Sequence, residues 1–277
     1  MTPDQYCQEK AANSGSSFYY SFLFLPTEKR RAIMALYAFC REVDDIVDEC
    51  SDPFVAKAKL GWWRSEIENV FSGKPEHPVG QALQPVVLEH NLPIELFNEI
   101  MDGMEMDLTV ARYPDFKSLQ LYCYRVASAV GLLSAEIFGV EDRKTLDYAH
   151  DLGIALQLTN IIRDVGEDAR RNRIYIPMDE MAGYGVSASS ILNAQGLENF
   201  EKLMAFQIDR AKSYYAKAMG ALPEKDRKNQ RPGLVMAAIY SALLDEIAKD
   251  PSSVLKCRTS LTPVRKIWIA WKTWRRA

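Results

Sequence analysis

The stretch from Leu152 to Asp168 constrains the fold more than any other. Leu152, Ile154, Leu156, Leu158, Ile161 and Ile162 spread apolar side chains around most of a helical circumference, so this helix belongs inside a protein. Residues three and four apart on a helix lie one above another, and Gly153, Gln157, Asn160, Asp164 and Asp168 therefore form a single stripe. The stripe is polar where the helix is otherwise most apolar. Carboxylates four apart repel each other, and a buried unpaired ion costs several kcal/mol. A divalent cation would remove that cost.

A second acidic pair repeats the pattern. Asp44 and Asp48 are again four apart, and counting back along their face gives Cys40, Tyr37 and Ile33, an apolar stripe. Two helices thus carry acid on faces that ought to be core. If they face each other, the acids surround a cavity suited to Mg2+, which prefers oxygen ligands and keeps substrate phosphates in its shell. The plainer reading of either pair alone is a solvated helix end. Arg41 stands three residues before Asp44, where it can neutralise an acid or reach an anionic ligand.

Strands are hard to find anywhere, and the expected fold is all-α: one domain over residues 1–277, with a single core and a basic, Trp-rich tail from 258 to 277. Hydrophobic residues make up 48% and charged residues 26%, which excludes a disordered chain. Thirty-four basic against 37 acidic residues argue against a nucleic-acid partner. Cys7, Cys40, Cys50, Cys123 and Cys257 are odd in number and never paired as C-x-x-C, so reduced thiols and a cytoplasmic location are expected. The first residues show neither a basic region nor an apolar core, so no signal peptide is expected, and no uninterrupted apolar run approaches a membrane span.

In chain order, helices are expected near 3–12, 27–48, 54–72, 78–90, 93–112, 116–138, 142–168, 198–221 and 231–248. The Asn13–Ser17 loop reads as a connector, or as hydroxyls that hold a phosphate beside a helix start. Gly103 permits close helix approach and Asp107 lies one turn on, a candidate for lining the cavity. Tyr122 fits either core packing or a cavity wall, where its ring would stabilise a cation. Arg170, Arg171 and Arg173 suit an anionic leaving group or plain helix-dipole compensation. Gly183 to Ala188 imitates a dinucleotide fingerprint, but no strand precedes it, so a turn is expected. Trp268, Trp271 and Trp274 recur every third residue among cations, as in a helix lying on an anionic membrane surface or one docked on the body. A di-iron bundle would need Glu-x-x-His motifs, which His77, His90 and His150 do not supply.

Asp44-x3-Asp48 with Gln157-x2-Asn160-x3-Asp164-x3-Asp168, followed by Arg171-Asn-Arg-Ile-Tyr-Ile-Pro177, resembles the squalene and phytoene synthase family of head-to-head prenyl condensing enzymes. The likeness runs from the Ser14–Phe18 loop to Tyr240 and implies an isoprenoid synthase fold, a helical bundle around a central cavity. By motif position it implies Mg2+ on Asp44, Asp48, Asn160, Asp164 and Asp168. Diphosphate would fall to Arg41, Gln157, Arg173 and Tyr175, and Tyr122 would sit near the reacting carbons. Ser14, Ser17, Phe18, Tyr37 and Tyr240 complete the expected substrate-binding set, with Ser at position 14 where several relatives carry His. Ser14–Tyr19 and Asp102–Asp107 most resemble members that join two farnesyl diphosphates into presqualene diphosphate without NADPH. Phytoene formation from geranylgeranyl diphosphate and NADPH-dependent squalene formation are the alternatives. The tail adds an expected peripheral contact with the inner membrane surface.

Overall fold

The computed structural model describes residues 1–13, 21–22, 24–50, 52–194 and 199–276. Ser14, Ser17 and Phe18 lie outside the described residues. Twelve α-helices are found among those described: α1 Pro3–Asn13, α2 Thr27–Glu49, α3 Pro53–Ser72, α4 Pro78–Glu89, α5 Ile94–Thr109 and α6 Phe116–Phe138 in the first half. Then come α7 Lys144–Arg170, α8 Met178–Gly183, α9 Ala188–Leu192, α10 Phe200–Ala221, α11 Arg231–Ile247 and α12 Pro263–Arg276. No strand occurs among them, only an isolated parallel bridge between Arg112 and Ile174.

Local chemistry sets many of the boundaries. The Asp52 carboxylate accepts from the Phe54 N–H at 2.8 Å with Pro53 at the first helical position, and Gly73 closes the same helix at φ 84°. Asp115 caps α6 by accepting from the Ser118 N–H at 2.8 Å. One expectation needs correction: α5 ends at Thr109, not near Arg112. The next residues leave the helix to bond a distant segment, with the Ile174 N–H donating to the Ala111 carbonyl and the Met178 N–H to that of Tyr113.

The core is also divided, where a single one was expected. One apolar cluster joins α7 to α10, α11 and the start of α6. The other joins α2 to α3, α4, α5 and the end of α6. Val126 of α6 packs against both. The space left between the clusters is a cavity of about 750 Å³.

Helix α6 is by length and mean composition able to cross a membrane, although Lys117, Arg125 and Glu136 interrupt its apolar run as expected from the sequence, and here it forms the wall between the two clusters. It is not straight. Residues Tyr124–Ser128 form a π-turn. A regular α-helix drifts by about 40° at each four-residue step. The wider π-turn takes part of that drift back, so Tyr122, Val126, Val130, Ser134 and Phe138 all line the cavity.

Small residues let α6 and α7 touch. A Cβ on Gly153 would meet the Ser128 Cα at 2.5 Å, and one on Gly131 would meet the Ala149 carbonyl oxygen at 2.8 Å. The Ser128 hydroxyl donates to the His150 carbonyl at 2.7 Å across the same crossing. Gly153→Ala is therefore expected to destabilise by about 1–3 kcal/mol through overpacking. Gly61→Ala, where a Cβ meets nothing within 4 Å, is expected to be neutral or to stabilise its helix by about 0.5–1 kcal/mol. Urea unfolding of the two variants checks this; a harmless Gly153→Ala would mean that the helices do not approach so closely.

Candidate active site

The acids of the site sit at the C-terminal ends of three helices. Asp44 and Asp48 are in the last turns of α2, Asp107 in that of α5, and Asp164 and Asp168 in the last two turns of α7. Helix C-termini carry partial negative charge, so this is the less favourable end for a carboxylate. Convergence of three such ends crowds carboxylates at one mouth of the cavity, where arginines pair with them. The other walls, toward Phe138 and Tyr148, are mostly apolar.

Asp107 joins the two motifs. Its two carboxylate oxygens accept from the Tyr175 hydroxyl at 2.7 Å and the Tyr122 hydroxyl at 2.9 Å. Arg173 donates to its backbone carbonyl at 3.0 Å. The Tyr175 ring stacks with those of Tyr122 and Tyr113, at 5.2 and 5.7 Å between centroids, while the Tyr113 and Tyr122 rings meet tilted at 5.5 Å. Tyr175 reaches this place because its strand-like segment is tied to residues 111–114 by the backbone bonds described above. Burial raises the Asp107 carboxyl, and the two phenol hydrogen bonds oppose that rise.

The end of α7 spreads its arginines. The Arg173 N–H bonds the Asp168 carbonyl at 2.8 Å and the Asn172 N–H bonds that of Ala169 at 2.9 Å, a Schellman cap. Asn172 takes the left-handed conformation at φ 56°, which Asn tolerates better than most residues. Arg171 is thereby sent to Asp48 on α2, at 2.9 Å, while Arg173 goes to Asp107. The bridge from Arg171 to Asp48 shows that the two acid motifs do face each other.

Each motif also has its own cation. Arg41 pairs with Asp44 at 2.5 Å and with Asp45. Asp164 accepts both Arg163 Nε at 2.7 Å and Arg258 Nε at 2.9 Å. Burial lowers and the hydrogen bond to Asp164 raises the Arg163 guanidinium, with a net upward shift, and Tyr240 is hydrogen-bonded to it. Burial, with repulsion from Asp48 and Asp45 and against the pull of Arg41, pushes the Asp44 carboxyl up to about 6. Burial and the neighbouring Asp164, against Arg173, push Asp168 up to about 7.

The sequence-predicted residues within the described part all line this one cavity: Tyr37, Arg41, Asp44, Asp48, Tyr122 and Gln157, then Asn160, Asp164, Asp168, Arg173, Tyr175 and Tyr240. Sequence reasoning missed Arg163 and Arg258, undervalued Asp107 and did not single out Tyr113. Arg163 was visible as the residue beside Asp164. Arg258 was not, because its partner is 94 positions away. The segment from 258 onward, expected as a basic, Trp-rich tail of the one domain, contributes Arg258, Leu261 and Lys266 to the cavity lining.

The donor set fits a hard cation. The Asn160 amide donates to Gln157 Oε1 at 3.2 Å, and its buried Oδ1 has no partner among the described residues. No three acidic, thiol or imidazole groups among those residues are close enough to hold a metal alone. Mg2+ matches such a site, since it binds through one or two carboxylates and takes further oxygens from water or phosphate.

Helices enclosing an apolar cavity with aspartates at one mouth define an isoprenoid synthase fold. The squalene/phytoene synthase family model matches residues 11–265, and the chain belongs to that family. It is 35% identical over 269 residues to the chloroplastic phytoene synthase of an Oncidium hybrid cultivar, covering 95% of this chain and 64% of that protein's length. A dehydrosqualene synthase crystallised with a ligand superposes with a TM-score of 0.86 at 28% identity, over 99% of this chain and 96% of the other. Squalene synthase HpnC from Alicyclobacillus acidocaldarius gives a TM-score of 0.82 at 26% identity, over 90% and 94% of the two chains.

A pH dependence follows from the raised acids. An unfolded Asp titrates near 3.9, so between roughly pH 4 and 7 the folded, metal-free chain binds more protons at Asp44 and Asp168 than the unfolded one. Their contribution therefore falls as pH rises through about 6 and 7. Thermal unfolding with chelator should show an Asp44→Asn/Asp168→Asn variant stabilised relative to wild type at pH 8, with the advantage shrinking at pH 5.5. Equal pH dependence of the two proteins would contradict the crowding of these carboxylates.

Proposed function

We propose that this protein condenses two prenyl diphosphates head to head, with farnesyl diphosphate as substrate and presqualene diphosphate as product. The observation that carries the reading is the pair of aspartate motifs opposed across Asp107 at the mouth of an otherwise mostly apolar cavity. In this reading Asp44, Asp48, Asn160, Asp164 and Asp168 hold Mg2+. The ion would supply Lewis-acid stabilisation of the departing diphosphate.

The chain's own residues do the rest. Arg41, Arg171 and Arg173 surround the mouth and receive the diphosphate, whose oxygens match the guanidinium fork. The Tyr122 and Tyr175 rings, backed by Tyr113, present aromatic surface beside it, where an allylic cation is stabilised by ring quadrupoles and kept from water. One carbon–oxygen bond breaks. The double bond of the second substrate attacks the freed carbon, and loss of a proton closes the cyclopropane. From Asp168 to Tyr148, α7 rises about 30 Å at 1.5 Å per residue, enough for the head and the extended chain.

The C15 reading is supported by the likeness to a dehydrosqualene synthase along nearly the whole of both chains. A C20 reading, two geranylgeranyl diphosphates giving phytoene, is favoured by the higher identity to phytoene synthases. The test supplies each substrate with Mg2+ and no NADPH. Presqualene diphosphate from the C15 substrate is expected; a C40 hydrocarbon with a central conjugated triene from the C20 substrate alone would select the second reading, and no turnover of either would end both. Asp164→Asn is expected to lower turnover by at least about a hundredfold while leaving the unfolding midpoint close to wild type. Near-normal kinetics would remove Asp164 from the metal set.

A further inference from the structure

Helix α12 is amphipathic in an unusual sense, because it has an apolar stripe on the side away from the protein. Its inner side is fixed by Ala270, 1% exposed, and by Trp274, which packs against Phe24 at 5.4 Å between ring centroids and under the Arg231 guanidinium at 5.6 Å. Of the three tryptophans, Trp274 alone is thus docked on the body. A three-residue repeat drifts around a helix by about 60° per step, and the third ring has turned inward.

The outer side carries Val264, Ile267, Trp268 and Trp271, which are 77%, 47%, 54% and 48% exposed. Their spacing of three, four and seven is that of one continuous helical face, the pattern that a surface helix normally buries. Cations frame it. Lys272 lies 4.6 Å from the Trp268 ring and Arg275 5.1 Å from the Trp271 ring. From Lys256 to Arg276 there are seven cations and no acid, although the whole chain carries a net charge of -3. Arg258 and Arg265 are paired with acids elsewhere in the fold, to Asp164 and Glu246.

From this face we propose that α12 docks the protein on an anionic lipid bilayer. Trp268, Trp271, Ile267 and Val264 enter the headgroup and acyl boundary, and Lys272, Arg275 and Arg276 meet lipid phosphates. Tryptophan suits that boundary because its ring is apolar with one polar edge, and the excess of cation selects a negatively charged surface. A second copy of this chain would carry the same cations, so its matching face would repel this one. The docked helix continues the cavity rim, since Leu261 and Lys266 of the same segment line the cavity. The docking face is independent of the reaction assigned above.

The test is flotation of the full chain with vesicles of phosphatidylcholine alone or mixed with phosphatidylglycerol. Wild type should float with the anionic vesicles and be released by salt. Trp268→Ser/Trp271→Ser and Lys272→Gln/Arg275→Gln should each weaken partition about tenfold or more, at an unchanged circular dichroism spectrum and unfolding midpoint. Absence of flotation, equal flotation on neutral vesicles, or indifference to both double variants would overturn the proposal. So would a vesicle-free dimer, seen by light scattering, that the tryptophan variant dissociates.

Discussion

Repulsion among aspartates at the C-terminal ends of α2, α5 and α7 is the constraint on which the architecture turns. Each helix brings negative charge, from its side chains and its dipole, to the same mouth. Such a cluster survives because the arginines are supplied from different distances along the chain. Arg41 and Arg163 come from the same helices as the acids they hold, Arg171 from the far motif, and Arg258 from beyond α11. The network neutralises the mouth without filling it. Part of the pairing is thereby provisional, because a cation arriving with its anionic ligand would compete for the same carboxylates, and the freed guanidinium groups would then face the ligand's oxygens.

Asp107 shows how an acid can belong to the same cluster and yet play another part. Two phenols and an arginine hold it, and it lies where both motifs feel its charge. It therefore fixes the aromatic wall relative to the acids. A carboxylate so engaged is poorly placed to hold metal and well placed to keep Tyr122 and Tyr175 in register.

Much of the fold was legible because its signals are local. Asp115, Pro53 and Gly73 mark helix ends by chemistry within four residues, and the apolar periodicity of α2 and α7 showed where acid interrupts core. The aspartate motifs were legible for the same reason, being spaced by helical turns. What escaped the sequence depends on distance. The early end of α5 is decided by a backbone bond from the Ile174 N–H to the Ala111 carbonyl, and the second cation on Asp164 by a segment 94 residues away. The split core was illegible because no single helix carries it. It appears only in the assembled bundle, where Val126 of α6 and Trp274 of α12 pack against both clusters.

The π-turn at Tyr124–Ser128 has a consequence for how such a chamber can change shape over evolutionary time. Below it, Tyr122 is anchored to Asp107; above it, Phe138 closes the cavity's remote end. Loss of one residue from the widened turn would rotate the upper portion like a key in a lock while the lower portion stayed fixed. Chamber depth could thus be retuned by a change that leaves the aspartates of the mouth, on α2, α5 and α7, where they are.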